Sequence, residues 1–115
     1  MENIEFEKSK VFTTIEVLEY TPNSVVIKTI IKKITGSINI VSFDSREALK
    51  EKISPFDTFI QILDGSGEIV IDDKSNMLET GQSIIIPAHS RNTIRSSIRF
   101  KMLSTVIKSG YEDYL

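Results

Sequence analysis

The chain has 115 residues and a mass of 13.0 kDa, enough for one hydrophobic core and too little for two. A net charge of −2 with a pI near 5.4 excludes the basic excess of a nucleic-acid module, and 40% hydrophobic with 26% charged residues excludes a disordered chain. With no cysteine, disulfide frameworks, thiolate metal sites and cysteine nucleophiles are excluded; with one histidine, His89, so is a multi-histidine centre within one chain.

The N-terminus, MENIEFEKSKVF, has no basic stretch leading into an apolar core, and no run approaches the roughly 18 apolar residues of a spanning helix. The expectation is a soluble cytoplasmic protein with no membrane contact. Ile occurs 19 times and Val 7 times, against 6 Leu and 2 Ala. β-Branched side chains suit a pleated surface and lose rotamer freedom in a helix, so composition predicts an all-β domain over residues 1–115, with its core at about 20–108.

In chain order, residues 10–18 (KVFTTIEVL) are the one helical candidate, worth a turn or two. Residues 24–32 (SVVIKTIIK) read as a strand, and Gly36 turns into 37–43 (SINIVSF), where Ile38 and Ile40 alternate with Ser37, Asn39 and Val41. Residues 56–63 (FDTFIQIL) are a third strand, followed by the turn Asp64-Gly65-Ser66-Gly67. Residues 68–72 and 75–78 flank a hairpin tip at Asp73-Lys74. Residues 83–86 end at Pro87, which has no amide hydrogen for a ladder. Residues 92–95 and 99–107 complete the set, and a surface tail is expected from Ser109. Short strands at close spacing predict a sandwich or barrel.

Between Lys52 and Asn92 the spacing of turn residues resembles that of the cupin family. The family's first motif runs Gly, five residues, His-x-His, three or four residues, Glu, six residues, Gly; its second runs Gly, five residues, Pro-x-Gly, two residues, His, three residues, Asn. Here Thr58 and Gly65 enclose six residues, and Gly81 and Pro87 enclose five. The resemblance spans residues 10–108 and implies a double-stranded β-helix, or jelly-roll, barrel. It also implies four positions around one cavity where cupins hold a divalent metal: Lys52, Ser54, Thr58 and Asn92. Lysine repels a divalent cation, and two hydroxyls and an amide are weak neutral donors, so no bound metal and no cofactor are expected.

The functional expectation is a metal-free barrel that binds a small polar or anionic ligand or serves as an accessory module. In it Lys52, Ser54, Thr58 and Asn92 form the ligand site, and no residue is assigned to catalysis. Alternation puts Thr58, Ile60 and Ile62 on one face of their strand and Asn92 and Ile94 on one face of theirs, and the resemblance implies that both faces point inward. The alternative is a metal-dependent, isomerase- or dioxygenase-like enzyme with a rearranged site using His89, Asp57 or Glu51. His89 in PAHSRN and the pair Asp72-Asp73 read first as turn residues. Arg91, Arg95, Arg99 and Lys101, and Lys28, Lys32 and Lys33, read as solvated strand faces that guard edges. No aromatic residues interleave among them, so no nucleic acid is expected. The resemblance and the surplus of apolar strand surface imply a homodimer, with Phe6, Phe12, Tyr20 and Phe59 available to cover a neighbour.

Overall fold

A computed structural model describes residues 6–110. The β-branched composition yields nine strands: β1 (Val25–Lys33), β2 (Gly36–Phe43), β3 (Ala48–Ile53), β4 (Asp57–Asp64), β5 (Ser66–Ile71), β6 (Lys74–Glu79), β7 (Ser83–Ile86), β8 (Arg91–Arg95) and β9 (Phe100–Ile107). They form two antiparallel sheets, ordered β1-β2-β9-β4-β7 and β3-β8-β5-β6. From β2 onward the chain changes sheet at every connection except the β5–β6 hairpin, which is the jelly-roll winding expected. The expected helix shrinks to one 3-10 turn at Thr14–Glu16, as two threonines and an isoleucine there disfavour more. The expected tail begins at exposed Ser109 and Gly110; its remainder, 111–115, lies outside the described residues.

β3 is the strand that sequence reasoning missed. Five of its six residues are exposed and three are charged, so ALKEKI carries no apolar alternation. Its existence is owed to pairing with β8. The turns follow local chemistry more closely. Asp72 and Asp73 hold φ of 47° and 69°, the double positive φ that a two-residue hairpin needs, and Asp72 Oδ1 accepts the Arg91 amide at 2.9 Å. Gly65 holds φ +81°, and a Cβ there would sit 2.6 Å from the Arg99 carbonyl oxygen.

The N-terminal segment lies over the outer face of the five-stranded sheet. Phe6 donates its amide to the Ile30 carbonyl (3.1 Å), and Lys101 Nζ donates to the Ile15 carbonyl (2.7 Å). Ser42 Oγ donates to the Glu19 carbonyl (3.2 Å), and Tyr20 Oη to Asp64 Oδ2 (2.6 Å). Ser42 and Lys101 are register partners and both are buried. Ile40, on that same outer face of β2, is buried as well. Burial and the hydrogen bond to Asp64 raise the Tyr20 pKa far above its usual value, so this hydroxyl stays protonated and remains a donor.

Inside the barrel, one end is filled. Phe43 and Phe100 are register partners on β2 and β9, stacked with ring centroids 4.2 Å apart and planes 8° from parallel. Ile62, Ile69 and Leu78 pack around them. A Cβ at Gly67 would fall 2.8 Å from the Phe100 ring, so the glycine lets the ring lie flat against β5.

Candidate functional site

Along β2, β9 and β4 the inward side chains change character from one end of the barrel to the other. Register pairs Phe43 with Phe100, then Val41 with Met102, then Asn39 with Ser104. On β4 the inward series runs Ile62, Ile60, Thr58, opposite Met102, Ser104 and Val106. At the far end the side chains no longer fill the space, and a cavity of about 140 Å³ remains. Its apolar wall is Val41, Leu49, Ile60, Ile86, Ile94, Met102 and Val106, with Ile27 beside the opening. Its polar groups are Asn39, Lys52, Ser54, Thr58, Asn92 and Ser104. An apolar enclosure with a few placed polar atoms is the usual form of a small-molecule site.

The four expected positions converge on this cavity although they come from three segments. Asn92 is buried on β8, and its Oδ1 has no hydrogen-bond partner among the described residues. Its Nδ2 donates one long hydrogen bond, 3.4 Å, to the Lys52 carbonyl, and the oxygen is the atom left without a partner. A buried acceptor without a partner costs about 1–3 kcal/mol. Thr58 is half-buried on β4. Ser54 follows β3; its Oγ accepts the Phe56 amide at 3.1 Å, which leaves its hydroxyl hydrogen free to point elsewhere.

Lys52 reaches the cavity through an irregularity. Leu49 pairs with Ile94 and Lys52 pairs with Asn92, so three steps on β3 match two on β8. This is a β-bulge, and a bulge re-aims every side chain beyond it. In an unbroken ladder Glu51 would oppose Asn92 and face inward. Instead Glu51 lies outside, its carboxylate 3.8 Å from Arg91 Nη1, and Lys52 takes the cavity mouth. Lys52 is the one charged residue lining the cavity, and its ammonium makes no ion pair among the described residues.

The residues of the alternative enzyme reading do not gather in the cavity. His89 is exposed at φ 69°, its amide donating to the Ser54 carbonyl at 2.7 Å. It holds the turn position where the family motif has glycine. Asp57 Oδ1 accepts the Ala88 amide at 2.8 Å and so braces that same turn. Neither these two nor Glu51 lines the cavity. The basic cluster of the C-terminal third is neutralised locally: Arg91 pairs with Asp73 (2.7 Å), Arg95 with Glu68 (2.8 Å) and Arg99 with Asp44 (3.4 Å), while Lys101 is buried beneath the N-terminal segment. Ile60 and Ile94 line the cavity as expected, whereas Ile62 belongs to the filled end.

Sequence reasoning missed Asn39 and Ser104, the polar pair on β2 and β9. Alternation in SINIVSF marks two faces without saying which is inside. Both faces of β2 are covered, one by the barrel interior and one by the N-terminal segment, so hydrophobicity does not discriminate between them.

The cupin fold implies a divalent metal at these four positions, and the residues present do not fit one. An ammonium, two hydroxyls and a single amide oxygen offer no imidazole and no carboxylate. Among the described residues no group of three or more His, Cys, Asp or Glu is placed to hold a metal ion, and no helix is long and apolar enough to cross a membrane.

No family model matches the chain, and no curated protein matches its sequence. Solved structures do. The fold is similar to that of a conserved protein of unknown function from Streptococcus pyogenes (27% identity over 95% of this chain and 94% of that one, TM-score 0.85). It is similar to a cupin superfamily protein from Desulfitobacterium hafniense (24% identity, 95% and 100% of the two chains, TM-score 0.85). It is also similar to a cupin 2 conserved barrel domain protein from Leptotrichia buccalis (31% identity over 84% of this chain, TM-score 0.82), of which it spans about half the length, 47%. With its two-sheet winding, its motif turns and these likenesses, the chain is a cupin by fold.

Proposed function

We propose that this cupin barrel is a binding module without a resident metal, whose cavity takes a small polar or anionic molecule. The observation that carries the reading is the buried Asn92 Oδ1, left without a protein partner on the wall of an otherwise apolar cavity. A pure stability element would gain by replacing it with an apolar side chain. The cavity is close in size to one that takes a benzene-sized molecule, so a ligand of about six to eight non-hydrogen atoms suits it.

The test is thermal unfolding of protein purified without a chelating tag, against a panel of small organic acids, alcohols and sugar phosphates. Small compounds are expected to raise the melting temperature and sugar phosphates to leave it unchanged. At a hundredfold excess over Kd, ligand stabilisation is about 2.7 kcal/mol. A full equivalent of iron, manganese, nickel or zinc in the same preparation would overturn the reading in favour of a metal-dependent isomerase- or dioxygenase-like activity.

The partner reading is a homodimer. Tyr20 and Phe6 are engaged within the chain, but Phe59 and Ile85, register partners on the outer face of β4 and β7, are 37% and 61% exposed. Ile107 adds to the same face. An exposed apolar patch of this kind suits a two-fold interface. Light scattering at micromolar concentration is expected to give the mass of two chains; a monomer mass removes this reading.

A further inference from the structure

We propose that the cavity selects a small monocarboxylate carrying a hydroxyl or N–H donor on a short apolar body. The inference rests on the reading of the cavity as a binding site and names what that site takes. Three observations carry it.

The first is the sign of the charge. The bulge in β3 places Lys52 at the mouth and sends Glu51 to the outer face, where Arg91 meets it. Without that one inserted residue the mouth would be acidic. No carboxylate lines the cavity to repel an anion, and no second cation lines it to demand a dianion. Nearby Arg91 is committed outside to Asp73 and Glu51. A single ammonium beside an apolar enclosure matches a single negative charge better than a doubly charged phosphate.

The second is the polarity of the partner group. Asn92 Oδ1 can only accept, so its complement is a hydroxyl or N–H. Because Asn92 is the register partner of Lys52, the ligand's donor and its carboxylate sit near one another. The third is size. About 140 Å³ admits roughly a benzene's volume, which suits a short apolar body.

The experiment is titration calorimetry on the full chain with four probes: 2-hydroxybutanoate, butanoate, 2-hydroxybutanamide and inorganic phosphate. The expected order has 2-hydroxybutanoate tightest, with butanoate and the amide each at least tenfold weaker. Lys52→Met should remove the preference for acid over amide and leave the preference for hydroxyl. Asn92→Leu should do the reverse. Cooperative melting of each variant, measured alongside, shows that it is folded; Lys52→Gln and Asn92→Ser replace either variant that is not. Equal binding of the amide and the acid overturns the charge assignment while leaving the cavity a binding site. Phosphate binding that depends on Lys52 but not on Asn92 overturns the carboxylate. If no small molecule binds, the underlying reading fails with it.

Discussion

The two ends of this barrel are built from the same strands and differ in what those strands were given. On β2 and β9 the distance from Phe43 and Phe100 to Asn39 and Ser104 is four residues, two inward positions away. At one end two stacked rings and a glycine leave no space. At the other the side chains shorten, turn polar and leave a buried acceptor without a partner. Packing density is a main source of stability in a chain of this size, and only the first end makes full use of it.

The largest test of that contrast lies in the filled end. Phe100→Ala should cost about 3–5 kcal/mol, read as a fall in the urea midpoint, because neither Phe43 nor Gly67 can close over the space left. Asn92→Leu, at the open end, should move the other way. It removes an unsatisfied buried oxygen at the loss of one long hydrogen bond, and should stabilise the chain by about 1 kcal/mol while ligand-induced shifts in melting disappear. If Asn92→Leu were as damaging as Phe100→Ala, the two ends would be equally structural and the contrast would be lost.

How far the sequence told these ends apart depends on the kind of signal. The strands of the five-stranded sheet were legible because β-branched runs stand between Gly, Pro and Asp turns. The positions Lys52, Ser54, Thr58 and Asn92 were legible as one cluster only through the resemblance to the cupin motifs, and they share a cavity wall. β3 was not legible, because an exposed, charged strand draws its order from its neighbour. For the same reason the bulge that decides between Glu51 and Lys52 was hidden: it is a property of the β3–β8 pairing, not of ALKEKI. The burial of Lys101 was hidden too, since Ile15, whose carbonyl it meets, is joined to it only in space.

Both motif positions where this chain lacks glycine keep the backbone that glycine would favour. Arg46, six residues before Lys52, holds φ 68°, and His89 holds 69°. A left-handed residue with a Cβ costs roughly 1–2 kcal/mol, partly offset because glycine has a freer unfolded chain. Arg46→Gly and His89→Gly should therefore each stabilise by about 0.5–1 kcal/mol. His89→Gly borders the cavity rim through Ser54, yet it should leave ligand binding unchanged, since its side chain faces solvent. Loss of binding in that variant would move His89 into the site and revive the enzyme reading.

The smallest effect separates the ends by pH. Asp44 follows Phe43 and Arg99 precedes Phe100 in sequence, and the two pair across the filled end; Glu68 pairs with Arg95 beside Gly67. Amides of Asn23 and Ser45, then Arg99, hold the Asp44 carboxyl below its ordinary 3.8. Hydrogen bonds from Arg95 and Ser75 hold Glu68 below its ordinary 4.5. A depressed carboxyl adds stability that is fully present above its unfolded pKa and is lost as pH falls through the folded one. Stability should therefore be flat from neutral down to about pH 5 and decline below it. With their arginine partners more than half exposed, these pairs contribute little, and salt should shrink the decline. In amide exchange the decline should show first in β5 and at the Phe43–Phe100 end of β2 and β9, because no carboxylate lines the cavity. Asp44→Asn with Glu68→Gln should flatten it. An acid loss that began instead at Thr58 and Asn92, unchanged by that double variant, would mean that the open end is the acid-sensitive one.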